Sequence, residues 1–86
     1  MYVTPKYIYF NAALKAQQIE LFCFLDDGTD ITTTCKFELE DNKGDLKLIK
    51  NVIKAEKNPS KSINKIGVLY EKNGITQQDF CMLYVQ

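Results

Sequence analysis

The sequence predicts an all-β fold: an antiparallel β-sandwich of about seven strands, built as a single domain over residues 1–86. Three observations lead there. Short alternating apolar runs recur at intervals of about 8–12 residues, with Gly, Asn, Asp or Pro at the joints. The run from Gln18 to Leu25 enters an Asp27-Gly28 turn and emerges at Ile31 in the opposite hydrophobic phase. Finally, no segment is long and amphipathic enough to be the helical crossover that parallel strands require.

The elements follow in order. Lys6 to Phe10 carries Tyr7, Ile8, Tyr9 and Phe10, all strand formers, and Pro5 suits the start of an edge strand, where no ladder donor is needed. Ala12 to Gln18 holds good helix formers over only two turns and lacks a cap, so it reads as a strand-to-strand crossing with at most one helical turn. From Gln18 to Leu25, Ile19, Leu21, Cys23 and Leu25 form an apolar face that should meet the core. Glu20, Phe22, Phe24 and Asp26 face the other way. Thr32 to Glu40 alternates Cys35, Phe37 and Leu39 against Lys36, Glu38 and Glu40, as a half-buried antiparallel strand does.

Asp41 to Asp45 reads as a loop. Two short strands follow, Leu46 to Ile49 and Val52 to Ala55. Lys50-Asn51 joins them, Asn being the residue expected to take the left-handed turn conformation. After a polar loop at Asn58 to Ser62, Ile63 to Lys72 puts Ile66, Val68 and Tyr70 on one face. Asn73-Gly74 is the strongest hairpin signal in the chain. Ile75 to Gln86 is apolar in both phases, Phe80, Met82 and Tyr84 against Cys81, Leu83 and Val85, which predicts cover on both faces.

Composition bounds the function. Eighty-six residues leave room for one domain, 45% hydrophobic and 26% charged. Eleven cations balance eleven anions, and every cation is Lys. Arg is the preferred reader of phosphates and guanines, so a neutral chain without it is not expected to bind nucleic acid. No apolar run approaches the roughly 18 residues of a membrane span, and Met1 to Lys6 does not read as a signal peptide.

Candidate chemistry is sparse. There is no His, hence neither the commonest general base nor the commonest zinc ligand. Cys23, Cys35 and Cys81 stand far apart in apolar runs and read as free buried thiols. The four glycines are too scattered for a phosphate loop. Asp26, Asp27 and Asp30 are hard oxygen donors close together, but the spacing is not that of an EF-hand loop, and the Asp-Gly turn accounts for them without calcium. Glu40, Asp41 and Asp45 form a second, weaker acidic group. The expectation is a non-enzymatic protein with no catalytic, cofactor or metal residues.

The stretch Gln18-Ile19, Leu21, Cys23, Leu25, Asp27-Gly28-Thr29 and Ile31-Thr32, followed by Phe37 and by Asn51-Val52-Ile53-Lys54-Ala55, resembles the bacterial immunoglobulin-like domains of group 2. Phe37 takes the place of the usual strand Trp, and Asn51 that of the usual Gly. The resemblance implies an immunoglobulin-like sandwich and a structural or adhesive role. It departs from the pattern at Phe22 and Phe24, where outward Thr is usual. Two outward Phe make an apolar patch of the kind that marks interfaces. Phe22, Phe24, Tyr7 and Tyr9 are therefore the candidate partner-binding surface, the alternative being that the segment with Tyr2, Tyr7 and Tyr9 folds over the two Phe.

The expected function is a bacteriophage capsid decoration protein, made in the host cytoplasm and carried on the virion. It would dock on the major capsid protein or another virion subunit, touching host glycans weakly. Membrane and nucleic-acid partners are not expected. A small intracellular inhibitor of one host protein, pairing through Lys6 to Phe10 or Ile75 to Gln86, is the alternative, with a carbohydrate-binding or adhesin module third.

Overall fold

The computed structural model describes residues 1–40 and 45–86, and the loop expected over Asp41 to Asp45 lies outside them but for Asp45. Among the described residues the chain is all-β. Nine strand segments run in order: β1 (Tyr2–Thr4), β2 (Tyr7–Phe10), β3 (Gln17–Glu20), β4 (Phe22–Phe24), β5 (Lys36–Leu39), β6 (Lys47–Ile49), β7 (Val52–Ala55), β8 (Ser62–Lys72) and β9 (Ile75–Val85). They form sheets ordered β1-β4, β3-β7-β6 and β2-β9-β8-β5.

Nine segments replace the seven expected for two reasons. Tyr2–Thr4 forms a strand of its own, and the run expected from Gln18 to Leu25 is divided at Leu21. Its first half pairs with β7 and its second with β1. At the division, Leu21 N–H donates to the Asn51 carbonyl at 2.7 Å, and Asn51 Nδ2 returns a bond to the Leu21 carbonyl at 2.8 Å.

The expectation of a purely antiparallel fold is corrected at one edge, where β2 runs parallel to β9. The chain leaves β4's side after Thr4 and comes alongside the last strand in the same direction, a pairing no hairpin connects. The four-stranded sheet is therefore mixed, while the other two are antiparallel. Ile19 is a second correction. Expected inside, it is exposed, because β1 pairs only with Phe22–Phe24 and leaves the Gln17–Glu20 segment at an open edge.

The strand expected from Thr32 begins only at Lys36. Asp30 Oδ1 accepts from Thr32 N–H at 2.9 Å, and the Ile31 carbonyl accepts from Thr34 and Cys35, so the backbone is committed to turns first. The helical turn considered for Ala12 to Gln18 is absent. Its backbone is closed instead by Gln17, whose amide donates to the carbonyls of Asn11 and Leu14 and accepts the Asn11 N–H. Of the two hairpins, Asn73-Gly74 has positive φ at both residues (53° and 76°), as a primed turn requires. In the other it is Lys50, not Asn51, that takes positive φ (55°), since Asn51 is held by its two bonds to Leu21.

One core joins the sheets. Leu21, Cys23, Ile53, Ile66, Cys81 and Leu83 are fully buried, with Val3, Ile8, Phe10, Val68 and Val85 nearly so. Each large aliphatic side chain among them contributes roughly 1.5–3 kcal/mol by leaving water. The alternation that selects them is plainest in β8 and β9: Asn64, Ile66, Val68 and Tyr70 are buried, as are Cys81, Leu83 and Val85. A single mixed core between sheets is the arrangement of a β-sandwich.

A candidate interaction surface

The other phase of β8 and β9 faces outward, and β2 and β5 extend that face on either side. Pairing sets it out in rows. Tyr9 lies beside Tyr84, and Tyr84 beside Ile63. The next row runs Tyr7, Met82, Lys65. The third runs Phe80, Gly67, Glu38. Tyr7 (57%), Tyr9 (63%), Ile63 (58%) and Phe80 (46%) are well exposed for their type, and Met82 and Tyr84 half-buried.

The rings are ordered. Tyr9 and Tyr84 stack with centroids 5.5 Å apart and planes at 16°. Lys65 Nζ sits 4.4 Å from the Phe80 centroid, and 3.7 Å from Glu40 Oε2. A cation over a ring face and beside a carboxylate keeps the ammonium fixed at a half-exposed site. Gly67 leaves a dip between Phe80 and Glu38. A Cβ built there would come within 3.4 Å of Glu40 Oε2, so the carboxylate overhangs the dip. The resulting groove, about 540 Å³, is lined by Lys36, Glu38, Glu40, Lys65, Gly67 and Phe80 among others.

The four residues singled out from sequence fall into two pairs on different sheets. Tyr7 and Tyr9 belong to the face just described. Phe22 and Phe24 are on β4, opposite Thr4 and Tyr2 of β1. Tyr2 packs on Phe24 at 5.6 Å, leaving Phe24 half-buried. Phe22, 37% exposed, lines a separate cleft of about 820 Å³ with Glu20, Asp30, Thr33 and Lys50. So the N-terminal segment covers one Phe through Tyr2, while Tyr7 and Tyr9 go elsewhere.

Ile63, Phe80, Met82 and Tyr84 were not foreseen as surface. The signal for the last three is the doubly apolar final strand, read as cover on both faces; only the Cys81 phase is deeply covered.

The Asp26–Asp30 turn is self-satisfied. Asp27 Oδ1 accepts from Thr29 N–H and Asp30 Oδ1 from Thr32 N–H, each at 2.9 Å. Bonds to the Thr29 and Thr32 side chains and then their backbones hold the two carboxyls below the usual range. Among the described residues, no three His, Cys, Asp or Glu side chains are gathered to hold a metal ion.

The thiols lie away from this face. Burial raises all three: Cys35 to about 12, helped by the neighbouring Cys23 thiol, and Cys81 to about 11. They are held as neutral, weakly nucleophilic groups at neutral pH.

Asp79 anchors the approach to the face. Its Oδ2 accepts from Val3 N–H at 2.9 Å and pairs with Lys6 Nζ. Burial pushes its carboxyl up, but Lys6 and the N–H groups of Val3 and Phe80 outweigh burial and leave it below the ordinary value.

Neither a protein-family model, nor a curated protein, nor a solved structure matches the chain.

Proposed function

We propose that this chain is an immunoglobulin-like sandwich acting as a non-enzymatic docking module, and that it decorates a virion by seating on a capsid subunit. The observation that carries the docking is the outward face of β2-β9-β8, where six apolar side chains adjoin in three rows. Aromatic residues and Met are the types enriched in interface cores, and a contiguous apolar patch on a small chain marks a contact. Lys36, Glu38, Glu40 and Lys65 supply a mixed-charge rim.

Strand order supports the immunoglobulin-like reading. With β3 and β4 taken as one strand, β4/β3-β7-β6 follows the B-E-D order of such domains and β5-β8-β9 the C-F-G order. β1 and β2 then divide a first strand between the sheets. The virion assignment rests on the sequence resemblance, and repeated copies on a capsid would raise weak glycan contacts by avidity.

The test is quantitative mass spectrometry of gradient-purified particles from the source organism's phage. A fixed ratio to the major capsid protein supports the proposal. Absence from particles overturns it.

The intracellular-binder reading is favoured by one observation, the open outer edge of β2. Ile75 to Gln86, the other strand considered for edge pairing, lies between β2 and β8 and offers no such edge over Met82–Val85.

A further inference from the structure

β2 and β5 are the two edges of the four-stranded sheet, and they are finished differently. β5 carries charge at each outward position, Lys36 and Glu38, with Glu40 just beyond, the usual protection against stray pairing. β2 carries only Tyr7 and Tyr9 outward.

The backbone of β2 shows which groups are open. The Lys6 carbonyl accepts from Met82 N–H at 3.0 Å, the Phe10 carbonyl accepts from Gln86 at 2.9 Å, and Ala12 N–H donates to Gln86 at 2.7 Å. Even-numbered residues therefore aim their N–H and C=O at β9. By the alternation of a strand, those of residues 7, 9 and 11 aim away from it. Asn11 is already satisfied, because Gln17 Oε1 accepts its N–H and Gln17 Nε2 donates to its carbonyl, both at 2.8 Å. The Gln17 amide stands where a neighbouring strand's peptide would. At the other end Pro5 has no N–H. The open edge is two residues long, Tyr7 and Tyr9.

We infer that this edge pairs with the same edge of a second copy of the chain, antiparallel and about a two-fold axis at Ile8. The register follows from the blocked ends. Tyr7 opposite the second copy's Tyr9 satisfies all four open groups on each chain, with four hydrogen bonds in the pair. The same register sets Pro5 opposite Asn11, so the residue without a donor meets the one whose groups are spent. A one-residue slip aims the inward groups of Ile8 at the partner and breaks the match. The facing positions bring no like charges together, and the four tyrosines make two cross-strand pairs that continue the Tyr84 stack across the junction. Such an isologous contact closes at two copies. It is smaller than the ~800 Å² per partner of a stable interface, so the dimer is weak and forms at roughly 0.1–1 mM. Pairing here does not require the docking proposed above; a chain can dimerise and ignore particles, or the reverse.

The experiment uses the purified chain. Sedimentation equilibrium up to about 1 mM reads the association, and amide hydrogen exchange by NMR locates it. At nine-tenths association the Tyr7 and Tyr9 amides exchange about tenfold more slowly than in dilute solution, while Ile8 and Phe10, bonded to β9, do not change with concentration. The double variants Y7K/Y9K and Y7E/Y9E are each monomeric, and mixing them restores a dimer, because the register sets each Lys opposite a Glu. Retained Ile8 and Phe10 protection certifies that both variants fold. A wild-type chain monomeric at 1 mM overturns the inference, as does a dimer whose concentration-dependent protection falls on β5, or a lysine variant that still dimerises. Protection of Tyr7 and Tyr9 appearing only when capsid protein is added overturns it in favour of a partner's strand.

Discussion

Replacing Asp79 tests how the N-terminal segment is held. Val3 is buried (2% exposed), and its N–H finds its acceptor in Asp79 Oδ2. Removing that acceptor in D79A leaves a buried donor unsatisfied, at about 1–3 kcal/mol. The Lys6 pair is half-exposed on the lysine side, so its loss adds at most about 1 kcal/mol. The expected cost of D79A is therefore about 1–4 kcal/mol, a large share of what a chain this size has. D79N keeps an oxygen for Val3 and loses only the charge, so its cost is about 1 kcal/mol.

Urea unfolding at pH 7 measures both, with equal slopes required for the comparison. The pH dependence supplies a second check. The Asp79 carboxyl lies below its ordinary value of 3.8 in the folded chain. A depressed acid stabilises the fold above the unfolded pKa and loses that contribution as pH falls through the folded one. The gap between wild type and D79N should thus be constant above about pH 5 and close below about pH 3.8. Equal losses in D79A and D79N, or a gap unchanged at pH 2.5, would refute the assignment of Asp79 as the anchor of Val3 and Lys6.

Other predictions are shorter. K50G relieves a left-handed non-glycine residue and should stabilise the β6–β7 hairpin by about 0.5–1 kcal/mol in the same urea assay. N51A removes the bond to the Leu21 carbonyl and should cost about 1–2 kcal/mol, read as a lower unfolding midpoint. Cys81 and Cys35 have folded pKa values near 11 and 12, above the ordinary 9.0, so their contribution is complete below pH 9 and is lost as pH rises toward 12. Alkaline unfolding should begin in that window, and at pH 8 a thiol reagent should label the buried Cys23 and Cys81 of the native chain only as fast as it opens, the half-buried Cys35 reacting first. If the outward face docks, I63T and F80S should weaken particle binding at least tenfold while changing the unfolding midpoint little, since both side chains are about half exposed.

Much of this fold is legible in the sequence where one local signal suffices. Asn73-Gly74 specifies the β8–β9 hairpin, and the alternation of Ile66, Val68 and Tyr70 picks the buried face without outside help. Cys35, Phe37 and Leu39 fall half-buried against exposed Lys36 and Glu38, as their period requires. What was illegible depends on distant partners. Ile19 has the inward phase but loses its cover because β1 ends at Thr4, 15 residues earlier in the chain and pairing elsewhere. The parallel β2–β9 contact joins opposite ends of the sequence, and no turn motif encodes it. The surface suffered similarly. Phe22 and Phe24 break the strand pattern and stand out in the sequence, whereas Phe80, Met82 and Tyr84 match a plausible core phase. Only the neighbouring sheet decides that Cys81, Leu83 and Val85 take the interior instead.

The pairing of β2 with β9 also orders events in time. The β8–β9 hairpin closes across a two-residue turn and can zip through eleven residue pairs on the scale of microseconds. β2, by contrast, must wait for Met82 to Val85, some 75 residues downstream. On the ribosome, at about 5–20 residues per second, Tyr7 to Phe10 spends several seconds as an unpaired hydrophobic tetrapeptide. The earliest part of the chain is thus among the last to find its place, and that interval is when a chaperone or a neighbouring nascent chain has access to it.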